Sequence, residues 1–156
     1  MKLVVDDARR DLHSRIHSAG HILSLAVRHL SEAGELPAVS EIKAQHYPDV
    51  AFVDFKGTID GKFKDAIQAQ CDKIVQEARP IEVCWYNEDE LRENCAGLPE
   101  GFKVPEGKPA RAISVKGLGA YPCGGTHVHD TSEVGKIIVR KISRSKGNSK
   151  VSYNVS

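Results

Sequence analysis

Three histidines near the start of the chain, His13, His17 and His21, are spaced four residues apart. Residues at this spacing lie one turn apart on the same face of an α-helix, so a pair such as His17 and His21 can bind one metal ion. The same spacing is also compatible with histidines that pack in a core or face solvent. The pair by itself therefore does not establish a metal site, and further donors are needed.

Further donors lie in the segment Tyr121-Pro-Cys-Gly-Gly-Thr-His-Val128, where Cys123 and His127 are separated by three residues. Gly124 and Gly125 help to keep this segment out of regular structure. They permit positive φ angles and a tight turn that aims both donor side chains at one point. The glycines also expose backbone N–H groups that can bind an oxyanion or a carbonyl oxygen. The expected substrate-binding residues are Gly124, Gly125 and Thr126.

The two segments together supply three imidazoles and one thiol. Tetrahedral zinc prefers this number and softness of nitrogen and sulfur donors. The four cysteines of the chain would permit disulfides in a secreted protein, but a cysteine close to a histidine in a cytosolic chain suggests a metal instead. The sequence therefore predicts a zinc site whose ligands are His17, His21, Cys123 and His127.

A long amphipathic helix, predicted from Asp7 to Ala33, carries the histidine pair. Its apolar residues recur at spacings of three and four and form one stripe. At about 100° per residue, His17 and His21 point roughly 140–180° away from that stripe. They are therefore solvated or covered by another part of the chain, and the segment around Cys123 is the candidate cover. The stripe consists of Leu12, Ile16, Ala19, Leu23, Ala26, Val27 and Leu30.

The remaining elements predict an α+β fold. The connections are short, which favours an antiparallel sheet with helices packed on one face in two layers. The stretch Ala96–Pro109, rich in glycine and proline, is predicted to be a surface loop. The other predicted elements are strands Ser40–His46 and Val50–Phe55 around a turn at Tyr47-Pro48-Asp49, a helix over Lys62–Arg79, a strand over Ile81–Tyr86, a helical turn over Asn87–Cys95, and strands Arg111–Gly117, Gly135–Ser143 and Ser149–Val155.

Length and composition suit one globular domain over residues 1–156, with 40% apolar and 28% charged residues. No apolar run approaches the roughly 20 residues of a membrane span. The first residues lack the apolar core of a signal peptide, so a cytoplasmic protein without membrane association is expected. The net charge of the whole chain is +1, but its C-terminal part from Gly135 onward contains basic residues and no acid. This part is either a solvated strand edge or a surface that faces phosphates.

The motifs His17-Ser-Ala-Gly-His21-Ile-Leu and Cys123-Gly-Gly-Thr-His127-Val together resemble the paired zinc motifs of the editing domain shared by alanyl- and threonyl-tRNA synthetases. Thr131-Ser-Glu-Val-Gly135 is similar to the T-x-E-I-G continuation of the alanyl branch. Lys146-Gly-Asn-Ser-Lys150 stands where that branch has a glycine followed by basic residues. With no synthetase core attached, the chain resembles the freestanding alanyl-tRNA editing proteins over nearly its whole length.

The resemblance implies a hydrolase that cleaves the ester joining serine, and sometimes glycine, to the tRNA for alanine. It implies the same two-layer α+β fold, and Zn²⁺ held by the four donors named above. The implied partner is the acceptor end of the mischarged tRNA, which the basic C-terminal strands would contact through phosphates. No obligate protein partner is expected.

The resemblance also points to Gln45 and His46, which end a predicted strand where the alanyl family places polar residues facing the substrate. We therefore expect them to be catalytic; the alternative is an exposed pair at a strand end. The family often has an acid two residues before the cysteine of the second motif, and this chain has Tyr121 there. That difference favours attack on the ester by a zinc-bound or tRNA-assisted water over attack by a water that a carboxylate activates. His13 and His129 are expected to be surface histidines.

Other functions remain compatible with the sequence. The same fold can edit another mischarged tRNA, such as serine on the tRNA for threonine, although the threonyl branch usually carries arginine and proline inside its second motif. A zinc-stabilised RNA-binding module without activity is a second alternative. A zinc hydrolase of small amino-acid esters is a third.

Overall fold

The structure is a computed structural model that describes residues 3–95, 97–98 and 101–156. Its longest element is helix α1, Asp7–Glu32. The Asp6 carboxylate accepts a 3.0 Å hydrogen bond from the backbone N–H of Arg9 and caps the helix start. Gly34, at φ 76°, follows the helix end. The predicted helix is therefore confirmed almost residue for residue.

Two shorter helices and seven strands complete the secondary structure of the described residues. Helix α2 spans Lys64–Gln76 and follows a 3-10 turn, while α3 spans Glu88–Asn94 and begins with a capping box formed by Asn87 and Glu90. The strands are β1 (Ser40–Gln45), β2 (Phe52–Lys56), β3 (Ile81–Tyr86), β4 (Ala110–Val115), β5 (Gly119–Pro122), β6 (Ile137–Ser145) and β7 (Asn148–Val155).

The strands form two antiparallel sheets, one in the order β1-β2-β7-β6 and one in the order β3-β4-β5. The predicted α+β fold with antiparallel pairing is confirmed, although the strands divide between two sheets where one was expected. Strand β5 was not predicted, because Tyr121 and Pro122 were assigned to an irregular segment. Proline is tolerated there because β5 ends at Pro122 on a sheet edge. The predicted loop over 96–109 contains no helix or strand before Pro109 among its described residues.

Helix α1 is buried around most of its circumference. Its apolar side packs with α2 and the inner face of the four-stranded sheet, where Val53, Val151 and Tyr153 are also buried. Leu12, which the predicted stripe included, is 36% exposed. The polar residues Ser14, Ser18 and Ser24 on the other side of α1 are buried as well. This side of the helix is therefore covered by another part of the chain and not solvated.

The segment Thr131–Val134 forms a 3-10 turn that joins α2 to the strands. The buried Thr131 hydroxyl donates to the Ile74 carbonyl at 2.7 Å and accepts from the Arg79 backbone N–H at 2.9 Å. Gly135 follows at φ 79°, where a side chain would be strained. The Thr-Ser-Glu-Val-Gly motif is thus explained by the packing of this turn.

Candidate metal centre

Four side chains meet on one side of α1. His17 and His21 belong to the helix itself, and Cys123 and His127 belong to the loop after β5. Each offers one donor atom, and the four atoms lie within 4.8 Å of one another. Cys123 Sγ lies 3.3 Å from His17 Nε2 and 3.7 Å from His127 Nε2. Donors bound to one tetrahedral zinc at 2.0–2.3 Å lie about 3.3–3.8 Å apart, so these spacings suit a shared ion. The structure therefore assembles a group that can hold a metal.

Two of the imidazoles have buried nitrogens without a hydrogen-bond partner. These atoms are His21 Nε2 and His127 Nδ1, and no other buried side-chain nitrogen or oxygen in the described part of the chain lacks one. A buried polar atom without a partner costs about 1–3 kcal/mol. Both atoms belong to rings of the four-donor group. A metal ion shared with the cysteine sulfur would satisfy His21 Nε2, whereas His127 has Nε2 near Cys123 and cannot also bind the same ion through Nδ1. The residues present therefore fit a metal.

Helix α1 and the loop after β5 hold the cluster together through small polar contacts. The Ser14 hydroxyl donates to Thr126 Oγ1 at 3.1 Å, and Ser18 Oγ accepts from the Val128 backbone N–H at 3.0 Å. Both serines lie on the same side of the helix as His17 and His21. A polar stripe at spacings of three and four, Ser14, His17, Ser18, His21 and Ser24, is the sequence signal that indicates this covered face.

Arg111 of β4 fixes the other side of the loop. Its guanidinium donates to the Cys123 carbonyl at 2.7 Å and to the Gly125 carbonyl at 3.0 Å. The backbone N–H of Cys123 donates to the Arg111 carbonyl at 3.1 Å. Arg111 is thus a positioning residue that the sequence did not reveal, because nothing in its local spacing links it to a cysteine twelve residues later.

The glycine pair of the loop acts differently from the expectation. Neither Gly124 nor Gly125 has a positive φ, so the turn does not depend on left-handed backbone. Gly125 instead permits close approach, because a Cβ there would overlap Cε1 of the His17 ring. A Cβ on Gly124 would meet no atom within 4 Å. A side chain can therefore be added at Gly124 without a clash but not at Gly125.

We expect Gly125→Ala to displace the His17 ring and to weaken metal binding by about 10- to 100-fold, the size of effect seen when ligand-orienting groups are altered. Gly124→Ala is the matched control and should bind metal as the unaltered chain does. Titration with Co²⁺, followed by its visible absorption, measures both. Equal affinities of the two variants would contradict the close contact between Gly125 and His17.

Burial keeps the cluster neutral in the absence of a metal. It lowers the pKa of His17, holds that of His21 well below its usual value with help from the neighbouring imidazoles, and lowers that of His127 to about 3. Burial also raises the pKa of the Cys123 thiol. Metal ligands must be deprotonated. The imidazoles are therefore ready to bind, and the thiol must release its proton when a cation binds.

The lowered histidine pKa values predict that the metal-free protein loses stability in mild acid. The unfolded chain, with histidine pKa values near 6.5, binds more protons than the folded one, so stability rises with pH below 6.5 and falls as pH drops. Each such histidine contributes at most about 1.4 kcal/mol per pH unit. Urea midpoints of metal-free protein at several pH values between 7.5 and 5 measure this. His127→Gln should flatten the dependence, whereas a variant of the exposed His29, His29→Gln, should not.

The structure separates the two residues expected at the strand end. The His46 ring lies 4.5 Å from that of His17, and His46 Nδ1 lies 2.8 Å from the Tyr153 hydroxyl. Gln45 pairs with Phe52 and lines a cavity with residues of β6 and β7 on the opposite face of the sheet. Of the expected pair, only His46 contacts the cluster. Successive strand residues point to opposite faces, which explains the separation.

Other residues singled out in the sequence have ordinary or supporting positions. The Tyr121 ring stacks on His21 with centroids 5.0 Å apart. Thr126 accepts the hydrogen bond from Ser14 described above. His13 is half-buried and His129 exposed, and neither belongs to the four-donor group. Among the described helices, none is long and apolar enough to cross a membrane.

Comparisons with known proteins relate this chain to aminoacyl-tRNA synthetases. Residues 110–151 match the family described as the threonyl and alanyl tRNA synthetase second additional domain. The chain is 27% identical over 97% of its length to an alanine–tRNA ligase of Methanosphaera stadtmanae and 34% identical over 88% to that of Thermofilum pendens. This chain is an alanyl-tRNA synthetase editing-domain-like protein. It spans only 17% and 15% of the lengths of those two ligases. An alanine–tRNA ligase of Thermotoga maritima is 29% identical over 85% of the chain.

The matched residues include the loop that carries Cys123 and His127, and most of the basic C-terminal strands. They also include Arg111, the residue that holds the loop.

Proposed function

We propose that this protein is a zinc-dependent aminoacyl-tRNA deacylase that hydrolyses seryl-tRNA, and also glycyl-tRNA, formed on the tRNA for alanine. The observation that carries the proposal is the four-donor group on an alanyl-tRNA synthetase editing-domain-like chain. We place the activity in the cytoplasm, where mischarged tRNA arises. In this proposal residues 1–156 act as one domain.

Zn²⁺ is the ion that the donor set favours, because three imidazoles and one thiolate match its preference for nitrogen and sulfur. His17, His21, Cys123 and His127 would hold it. When bound, it supplies a Lewis acid that orients the substrate and polarises the scissile ester. Serine differs from alanine by one hydroxyl, which an apolar synthesis site rejects poorly, so a second site that recognises the hydroxyl is needed.

His46 is the candidate general base in this proposal. The Tyr153 hydroxyl donates to the Ile16 carbonyl at 2.9 Å, so it can only accept from His46 Nδ1. The Nδ1–H tautomer leaves His46 Nε2 free to accept a proton from the attacking water. Burial lowers the His46 pKa to about 4, so the ring is neutral at pH 7. The Tyr153 contact fixes the ring in this orientation.

The glycine loop supplies the candidate contact for the ester oxygen. A hydrogen bond from the Gly125 backbone counteracts part of the rise in the Cys123 pKa. The backbone N–H of the exposed Gly124 is the candidate donor to a developing oxyanion. Thr126 shapes the loop through Ser14 rather than reacting.

Deacylation of seryl-tRNA by the purified protein, with the tRNA for alanine, tests the proposal. We expect fast release of serine, little release of correctly attached alanine, and at least a hundredfold lower rate in the His17→Ala/His21→Ala variant, since loss of ligands costs at least as much as loss of their supports, about 10- to 100-fold. The matched control is His13→Ala/His29→Ala, which removes two histidines from the same helix outside the donor group and should retain full activity.

Serine release at the rate without enzyme would overturn the proposal. Release of serine from the tRNA for threonine, but not from the tRNA for alanine, would reassign the substrate within the same chemistry. Zinc binding without cleavage of any charged tRNA would identify a non-catalytic zinc module instead.

A further inference from the structure

The four-stranded sheet has a second face that no described helix covers. Its inner face packs on α1 and α2, whereas the residues between the buried positions of β2 and β7 point outward. One row across this outer face runs through four paired strands. The row consists of Gln45, Phe52, Ser152 and Lys141. We call the surface around it the basic outer face, made of Gln45, Phe52, Arg140, Lys141, Lys150 and Ser152.

Positive charge dominates this face. Lys43, next to this face, forms an ion pair with Asp54 at 3.7 Å. Arg140, Lys141 and Lys150 form no ion pair with any residue that the structure describes. The Lys150 ammonium lies 4.0 Å from the centroid of the Phe52 ring. Arg140 donates to the Asp49 backbone carbonyl at 3.1 Å. The surface therefore combines an aromatic side chain with three cations that have no carboxylate partner among the described residues.

A cavity of about 330 Å³ lies within this face. Its lining includes Arg140 and Lys141, which reach it from a bulge in β6, the ring of Phe52, and one acid, Asp49. Cations that track a phosphate backbone, beside an aromatic ring on which a base can stack, are the features by which proteins bind single-stranded nucleic acid. An anionic, base-bearing chain matches both features.

The basic outer face ends beside the metal centre. Gln45, the last residue of β1, lines the cavity, and the next residue, His46, contacts His17 from the other side of the strand. The turn that follows carries two exposed side chains, Tyr47 at 63% and Val50 at 56%. A strand of RNA held on the outer face thus needs only to pass around this turn to reach the cluster.

We infer that the basic outer face binds the phosphate backbone of an RNA strand, with Arg140 and Lys141 contacting phosphates and Phe52 contacting a base. The identification of that RNA as the acceptor end of the tRNA substrate rests on the proposed function. The binding itself does not, because it follows from the charge and shape of the face.

Fluorescence anisotropy with a labelled, uncharged alanine tRNA tests the inference without any ester chemistry. We expect Arg140→Ala/Lys141→Ala to bind about tenfold more weakly and to lower the slope of log K against log salt by about 1.4 to 1.8, the loss of two phosphate contacts. Lys103→Ala/Lys108→Ala is the matched control: it removes two exposed lysines from the loop between α3 and β4 and should change neither quantity. Lys141→Gln, which keeps most of the side chain, guards against a folding defect and should lower the slope by about half as much.

Equal affinity and slope for the unaltered chain and Arg140→Ala/Lys141→Ala would overturn the inference, as would no tRNA binding by the unaltered chain. Binding to anionic lipid vesicles but not to tRNA would also overturn it. If the variant cleaves seryl-tRNA with an unchanged KM, the inference fails while the proposed function stands. If the unaltered chain binds tRNA through this face but cleaves no ester, the proposed function fails and the inference stands.

Discussion

Cys123→Ala should remove nearly all tightly bound zinc from the protein. The Cys123 sulfur is the one soft anionic donor of the group. It lies 3.3 Å from His17 Nε2 and 3.7 Å from His127 Nε2. Without it, three neutral imidazoles remain, and the buried His21 Nε2 loses the ion that would satisfy it. We expect about one zinc per chain in the unaltered protein and less than about a tenth of that in the variant after dialysis, with a parallel loss of deacylation.

Cys84→Ala is the matched control, because Cys84 is also a half-buried free cysteine but lies outside the donor group. It should retain its zinc. Elemental analysis gives the metal content, and circular dichroism should show that both variants fold, since a chain of this size does not need a metal to form its core. Full zinc content in Cys123→Ala would contradict the proposed ligand set.

Thr131→Val should lower the free energy of unfolding by about 2–6 kcal/mol, because it leaves two backbone groups without a partner, each costing about 1–3 kcal/mol. The groups are the Ile74 carbonyl near the end of α2 and the Arg79 N–H that precedes β3. Thr131 is fully buried, so water cannot replace its hydroxyl. Valine has nearly the same shape, which isolates the hydrogen bonds from the packing.

Urea denaturation measures this change. Thr58→Val serves as the control, since Thr58 is exposed and its side chain makes no hydrogen bond in the described structure. It should shift stability by less than about 0.5 kcal/mol. A similarly small shift for Thr131→Val would show that the turn is not held through this hydroxyl.

The donor residues and the long helix could be predicted because the signals that reveal them are local. Two histidines four residues apart share a helix face wherever that helix lies, and the cysteine and histidine of the loop are near each other in the chain. The resemblance of the two motifs to the synthetase editing domain then suggested one shared site. The choice of zinc as the ion stays a proposal.

The strand end at Gln45 and His46 shows what local spacing leaves open. Alternation along a strand requires that the two side chains point to opposite faces, but it does not say which one faces the helix. That depends on the register of β1 against β2, which shifts at a bulge between Glu41 and Lys43. Only the paired sheet decides that His46 contacts the cluster and that Gln45 belongs to the outer face.

The sequence by itself determined the fold class, the helix that carries the histidines and the chemical nature of the donors, because these depend on side-chain type and short-range periodicity. Tertiary structure alone decided the division into two sheets and the support of the loop by Arg111. It also placed Gly125 against His17 and gathered Arg140, Lys141 and Lys150 on one face. These features depend on contacts between residues far apart in the chain, and such contacts form only when the strands pair and pack.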